Sequence, residues 1–570
     1  MLVYGDRVQV QETQAVVGCL GALLARAAAL PPGIARHGTL AGAFIAVGEL
    51  TQGIADAGFA ARGADASCPA TEAAMALLLR CAGALRHSWE SGFAAGPLPA
   101  IPELPELPGR IEIRQPEGFA FYALYPEAYA MAAAAAGLPP ATRVIGLRSI
   151  GVPLGAMVAS ALGAAAPVTL RPAGHPFRRE LAVAPALAAR LLPAPDLPVA
   201  VVDEGPGLSG SSFGAVADWL EDRGVPPGRI AFFPSHGGAP GPMASPRHRA
   251  RWDRAARHWQ GFETVVQPRL AAWAGTLTGP AEGPLTDISG GAWRAGRYPG
   301  AAWPPVHAQQ ERRKFLLPAG GATWLLKFVG LGADGERKAG RGRALAEAGF
   351  TPPVAGWCHG FLVERWLEAA RPLDPARMDQ DRLAEQVGRY LGFRARAFPA
   401  APEQGASPAS LLEMARHNAG LALGEAAARR FDRWTAAELA ALGVRARPVE
   451  TDNRLHAWEW LALPDGRLLK ADALDHHAAH DLIGCQDIAW DVAGAMVELG
   501  LDARLIPILE AASGRPVDPG LLALLLPCYC AFQLGHWTMA AEAAPDAEEA
   551  ARLRAAVARY AARLQGALAA

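Results

Sequence analysis

Two neighbouring acids, Asp203 and Glu204, stand between the apolar run Val199-Ala200-Val201-Val202 and a loop of small residues, Gly205-Pro206-Gly207-Leu208-Ser209-Gly210-Ser211-Ser212. Carboxylates so placed can hold sugar hydroxyls or a magnesium-bound pyrophosphate. A Gly/Ser loop opening a helix offers backbone amides, small hydroxyls and the positive helix end to a phosphate. The apolar run follows Pro198 and precedes a helical pattern from Phe213, which predicts a buried parallel strand delivering its acids to the carboxyl edge of a sheet. The bland alternative is a tight βα turn without a ligand, but buried strands rarely end in two acids that lack a partner. Upstream, Thr142-Arg143-Val144-Ile145-Gly146-Leu147 predicts an earlier strand, and Arg148-Ser149-Ile150-Gly151 leads from it into a helix over about 154–162. Two strand-loop-helix units in succession predict a parallel sheet with right-handed crossovers.

This arrangement resembles the binding motif for 5-phosphoribosyl 1-diphosphate (PRPP) of type I phosphoribosyltransferases. The resemblance implies that Asp203 and Glu204 contact the ribose hydroxyls and that Ser209, Gly210, Ser211 and Ser212 wrap the 5-phosphate. It implies equally that the loop of Arg148, Ser149 and Gly151 holds pyrophosphate. In place of the family's usual two apolar residues and two threonines the chain has Gly205-Pro206-Gly207-Leu208, and Pro206 contributes no amide. The basic stretch Arg171-Pro172-Ala173-Gly174-His175-Pro176-Phe177-Arg178-Arg179 falls where that family carries a mobile loop over the reacting centre. Arginine forks suit a departing pyrophosphate; a solvated arginine-rich loop is the alternative.

Of 54 basic residues only four are lysines, Lys314, Lys327, Lys338 and Lys470, all in the C-terminal half. Where surface cations have drifted to arginine, a surviving lysine points to a place needing a compact point charge. Lys327 sits in the strand-like run Trp324-Leu325-Leu326-Lys327-Phe328-Val329, followed by Glu336, a helical stretch over 341–348, the turn Gly349-Phe350-Thr351-Pro352-Pro353-Val354 and the strand-like Phe361-Leu362-Val363-Glu364-Arg365. That order resembles the N-lobe and hinge of aminoglycoside phosphotransferases and choline-kinase-like enzymes. The resemblance implies that Lys327 grips nucleotide phosphates, with Glu336 as its ion-pair partner and Glu347 as the fallback. It further implies that Asp472 binds magnesium, that Asp487 and Asp491 brace the catalytic loop, and that Asp452 is the base accepting a substrate proton. Ala457 stands where that family has an asparagine, and His456 or Glu459 is then available to assist the metal. Phosphoryl transfer and nucleotide binding without transfer both remain open.

Asp472, Asp475, His476, His477, His480 and Asp481 crowd into ten residues. If helical, His476 and His480 share a face at i, i+4 spacing and suit a transition metal, though no glutamate lies between them as in zinc peptidases. A histidine-rich loop contacting phosphate beside a magnesium aspartate is the competing reading.

Net charge of −1 and a pI near 6.9 give no general attraction to nucleic acid or to a membrane surface. Seven scattered cysteines without C-x-x-C pairs suit reduced thiols better than a disulfide framework. The beginning, Met1-Leu2-Val3-Tyr4-Gly5-Asp6-Arg7, lacks a signal-peptide core. The longest uncharged stretch, 149–170, is broken by Gly and Pro, so no membrane span is expected and the compartment expected is the cytoplasm.

At 570 residues and 51% hydrophobic content the chain can bury several cores. The fold class expected is α/β: a helical N-terminal region and linker (1–105), a parallel-sheet phosphoribosyltransferase-like domain (106–277), a Gly/Pro-rich linker (278–305) and a two-lobed kinase-like α+β domain (306–570). Glu49, Gln52 and Asp56 form one polar helix face, read as solvated, as an interdomain seam or as active-site lining. Phe119, Phe121, Tyr122 and Tyr125 could stack on a base, with core packing as the simpler role.

The leading functional expectation is magnesium-dependent phosphoribosyl transfer from PRPP to a nitrogen base or other small nucleophile, with a fused kinase-like domain using ATP on a related metabolite. The alternatives are a PRPP or nucleotide sensor joined to a pseudo-kinase, and a small-molecule ATP phosphotransferase. Each implies small-molecule partners and is compatible with a homo-oligomer.

Overall fold

The computed structural model describes residues 8–192, 197–298, 300, 303–478, 483–544 and 546–569. Three long helices, Thr13–Ala29, Ile34–Arg62 and Pro69–Glu90, open the chain and pack on one another. The central one is buried along most of its first five turns, where Ala, Gly and other apolar residues dominate, and its polar face of Glu49, Gln52 and Asp56 begins only near the end of that stretch.

The parallel sheet forms as expected. Its order is Val168–Leu170, Arg143–Leu147, Val199–Val202, Ile230–Phe233, Ala256–Arg257, with every neighbouring pair parallel. In chain order that is 2-1-3-4-5, so the direction of winding reverses between the Arg143–Leu147 and Val199–Val202 strands. Ligands of doubly wound sheets bind at that reversal. All four residues of Val199–Val202 are buried, matching an apolar run covered on both faces. The Gly151–Leu162 helix covers one face and Ser211–Glu221 the other. Two glycines let the first loop press on the sheet. A Cβ on Gly146 would meet Gly151 O at 2.2 Å, and one on Gly151 would meet Val202 O at 2.4 Å.

The second sheet is antiparallel, in the order Thr286–Asp287, Lys314–Ala319, Ala322–Phe328, Phe361–Arg365, Val354–Cys358. The Gly332–Glu347 helix packs beside it. Beyond residue 366 a helical body includes Gln380–Ala397, Ala489–Leu499, Pro519–Glu542 and Ala547–Ala569, around its own apolar core. Pro519–Glu542 is long and apolar enough to cross a membrane, and 78% of its apolar window is buried inside this body.

One apolar core runs across the Gly/Pro-rich stretch that the sequence suggests as a linker. It joins Leu20, Phe44 and Leu78 of the N-terminal helices to Tyr125, Val152 and Trp273, and onward to Phe315, Phe328 and Phe361 of the antiparallel sheet. Leu331 N–H donates to Phe119 O at 2.9 Å, and Tyr125 OH to His359 O at 2.8 Å. Phe119, Phe121 and Tyr125 are therefore core residues, while Tyr122 is exposed.

Candidate functional site

A cleft of about 1100 Å³, counting its open mouth, separates the antiparallel sheet from the segment that carries Arg454 to His476. Strand periodicity builds its floor. Leu325 and Lys327 share a face, Lys314 lies opposite Lys327, and Glu364 lies opposite Leu325. Lys327 Nζ stands 3.1 Å from Asp472 Oδ1 and 3.7 Å from Glu364 Oε1. Burial works against the Lys327 charge, but Asp472 and then Glu364 outweigh it and raise its pKa. For Asp472 burial again opposes the charge, and Lys327 leads the groups that hold it well below the carboxylate range. Glu364 is pushed up by burial in spite of Lys327.

Behind this row lies a second set of charges. Asp475 receives Lys338 Nζ at 3.0 Å and lies 3.7 Å from Arg312. Burial lowers Lys338 to about 8 against the pull of Asp475. Asp452 is 1% exposed. Its carboxylate accepts a short hydrogen bond from Tyr390 OH, with Lys470 Nζ at 3.3 Å and His476 Nδ1 at 3.6 Å. Burial opposes its charge, yet Lys470 and His476 keep it well below the usual range. The loop around Asp452 is held by Asp491, which accepts from Asp452 N at 2.7 Å and Asn453 N at 3.0 Å. Arg394 donates to the carbonyls of Glu450, Thr451 and Ala473 from the other side. Burial first, and then the Asp452 charge, push Asp491 up to about 6.

The geometry pairs Lys327 with Asp472 rather than with Glu336 or Glu347, and Asp491 braces the Asp452 loop. Asp487 instead accepts from Ala489 N, the first residue of the helix that follows it, and from Arg447 N. Glu336 is a correction: it faces away from the cleft and pairs with Arg26 of the first helix at 2.6 Å, both side chains more than two-fifths exposed. Asp452 is a second correction, because Lys470, Tyr390 and His476 enclose it and it does not line the cleft, whereas His476 does. His456 stacks at 4.5 Å on Trp458, which lines the cleft together with Glu459. His476 lies in a turn rather than a helix; His480 and Asp481 are outside the described residues.

At the parallel-sheet edge Asp203 and Glu204 sit side by side and partly exposed. Tyr129 OH donates to Asp203 O at 2.8 Å, which fixes the strand end. Burial raises Asp203 to about 7, and burial together with the Asp203 and Glu117 charges raises Glu204 to about 8. The surrounding donors are already engaged, which corrects the phosphate-loop expectation for several residues. Arg148 pairs with Asp65 and, at 2.9 Å, with Asp56; Arg171 also pairs with Asp56. Ser209 Oγ donates to Ser211 Oγ at 2.9 Å, and Ser211 Oγ to Pro176 O at 2.9 Å. Pro176 lies at the tip of a hairpin formed by Ala173–His175 and Arg178–Glu180 in the basic stretch. Gly151 serves close packing, Gly210 adopts φ 63° at the helix start, Ser212 is partly exposed, and Ser149 follows a cis Arg148–Ser149 bond. The polar helix face resolves as a seam: Gln52 bonds Asp56, Glu112 O and Arg114 N, and Asp56 takes the two arginines.

Sequence reasoning missed Glu364, Tyr390 and Arg394, whose contacts span tens of residues and leave no local pattern. The scarcity of lysine was the usable signal. All four lysines reach this region: Lys314 and Lys327 line the cleft, Lys338 meets Asp475 and Lys470 meets Asp452.

No protein-family model matches the chain, and no curated protein matches it. Solved structures do. Choline kinase LicA from Streptococcus pneumoniae is similar at 17% identity and a TM-score of 0.29, covering 44% of this chain and 89% of that one. Macrolide 2'-phosphotransferase MphH from Brachybacterium faecium gives 20%, 0.32, 51% and 97% for the same four quantities. A choline/ethanolamine kinase family protein from Mesorhizobium loti gives 15%, 0.30, 50% and 94%. About half of this chain thus covers most of each kinase-type structure.

Proposed function

We propose that the chain binds a magnesium nucleotide in the cleft and transfers its terminal phosphoryl group to a small molecule. The observation that carries this reading is the Glu364–Lys327–Asp472 row on the cleft floor, a buried ammonium between two carboxylates that can exchange one of them for a phosphate. Arg297, Arg312, Arg365 and Arg454 add cationic forks around the cleft, and Trp293, Tyr298, Trp366 and Trp458 offer flat faces for a base. The oxygens of Asp472 and Asp475 lie close together, and with phosphate oxygens and water they form a donor set that fits magnesium. Asp472 and Asp475 would hold the ion, whose charge would offset that of the nucleotide phosphates.

His476 Nδ1 stands 3.0 Å from Asp452 O. With Nδ1–H donated to that carbonyl, Nε2 is the basic nitrogen left for the cleft. In this reading His476 takes the proton of the acceptor hydroxyl, and Asp452 positions it. Calorimetric titration with MgATP and MgADP is the test, followed by ATP consumption over a panel of small alcohols and amines. One nucleotide site per chain is expected. No binding at millimolar nucleotide would overturn the reading.

A second reading belongs to the parallel-sheet edge. It is favoured by the strand order, which sets the Arg148–Gly151 loop beside Asp203 and Glu204 at the winding reversal. A PRPP molecule with magnesium would meet the two acids through its ribose hydroxyls, provided the hairpin carrying Pro176 releases Ser209 and Ser211. Pyrophosphate release on a panel of nitrogen bases, abolished in Asp203→Asn, supports transfer; PRPP binding without release supports a sensor. No PRPP binding in the presence of magnesium rejects both.

A further inference from the structure

Outside both sites, three side chains from distant parts of the sequence converge in a fully buried spot. His37 comes from the Ile34–Arg62 helix, Glu127 from the first turn of Pro126–Ala135, and His359 from the turn between the Val354–Cys358 and Phe361–Arg365 strands. None of the three side chains has any solvent exposure. His37 Nε2 lies 3.0 Å and His359 Nε2 3.6 Å from the same oxygen, Glu127 Oε1. Ligand atoms about 2.0–2.1 Å from a tetrahedral zinc ion are separated by about 3.3 Å, so the two observed spacings bracket that edge.

The hydrogen bonding around the cluster is incomplete. Glu127 Oε2 and both ring nitrogens of His359 are buried without a hydrogen-bond partner. Unpaired buried polar atoms are costly, and a buried carboxylate needs a counter-charge. Neutral imidazole is the form that ligates a metal. His37 Nδ1 meets Ser88 Oγ at 3.0 Å, the outer contact that fixes a ligating histidine with Nε2 turned inward. Aromatic rings close the shell, with Phe93 4.8 Å from His37 and Tyr125 and Trp273 at 5.1 and 5.3 Å from His359.

We infer that His37, Glu127 and His359 form a structural site for a divalent transition metal of the zinc class, with both Glu127 oxygens completing four-coordination. Imidazole with carboxylate suits zinc, cobalt or nickel and is a poor set for magnesium; the cleft cluster of Asp472, Asp475 and His476 has two carboxylates and one imidazole, so ligand variants tell the two sites apart. The ion would pin the N-terminal helices to the antiparallel sheet at a point where three segments meet.

The full chain is purified from zinc-supplemented medium, its metal content measured, and the chelated protein titrated with Zn²⁺ and Co²⁺. The expected result is about one zinc per chain, a melting temperature that drops on chelation and recovers with Zn²⁺, and the strong visible bands of four-coordinate cobalt. Glu127→Gln and His359→Ala should lose the ion, and Ser88→Ala should weaken it by roughly 10- to 100-fold. If the ligand variants do not fold, the chelation and cobalt measurements on the unaltered chain decide. Absence of retained metal together with absence of the cobalt spectrum overturns the inference. So does a metal that persists in Glu127→Gln and disappears in Asp472→Asn, which would belong to the cleft.

Discussion

The cleft and the parallel-sheet edge both offer acids at the ends of strands, yet they balance charge in opposite ways. Around the cleft the buried acids meet cations from other elements: Asp472 and Glu364 share Lys327, Asp475 has Lys338 and, behind the floor, Asp452 has Lys470. At the sheet edge the nearest arginines are taken by Asp56 and Asp65, so Asp203 and Glu204 are left to desolvation and hold protons near neutral pH. A site with its own counter-ions can trade one of them for an arriving phosphate. A site without them must wait for a cation to arrive with the ligand.

The sharpest way to break this contrast is at the cleft floor. Lys327→Ala leaves Glu364 buried without its cation and removes the phosphate grip. Nucleotide affinity should fall on the order of 100-fold, and Asp472→Asn should abolish the magnesium dependence of what remains. Calorimetry reads both, and unchanged affinity in Lys327→Ala would remove the cleft from consideration. Next in size is Lys470→Met, which strips the cation from a wholly buried carboxylate. Destabilisation of about 3–5 kcal/mol is expected in the denaturation midpoint, and adding Asp452→Asn should restore part of it.

The sheet edge predicts a pH effect of opposite origin. Asp203 and Glu204 have folded pKa values of about 7 and about 8, above the roughly 4 of an unfolded carboxyl. Between those values the folded chain binds more protons than the unfolded one. The contribution of this pair to stability therefore falls as pH rises from about 4 to about 8 and is level beyond. Thermal melts across that range should show the decline, and Asp203→Asn with Glu204→Gln should flatten it. A decline that persists unchanged in the double variant would assign it to other groups. The smallest effect is expected for Glu336→Ala, whose exposed pair with Arg26 is worth no more than about 1 kcal/mol and which should leave nucleotide affinity unaltered.

Much of this was legible in the sequence wherever the signal was local. Four apolar residues before two acids gave the buried Val199–Val202 strand, and the rarity of lysine pointed to the cleft. Partner choice was not legible. Whether Lys327 meets Glu336 or Glu364 depends on which face of the Gly332–Glu347 helix turns inward, and Glu336 lies on the face towards the first helix. Arg148 sits in the expected loop, but its charge is spent on acids 83 and 92 positions earlier, Asp65 and Asp56, which no spacing rule couples to it. The proline-rich stretch near residue 290 marks a change of composition and not an end of packing.

That last feature bears on how the chain can be dissected. A fragment starting at residue 306 would carry Phe315, Phe328 and Phe361 into water on a flank that the earlier half now covers, and the earlier half would expose Tyr125 and Trp273 in return. Neither piece is expected to stay dispersed when expressed alone, whereas co-expression of the two should recover a paired, soluble species.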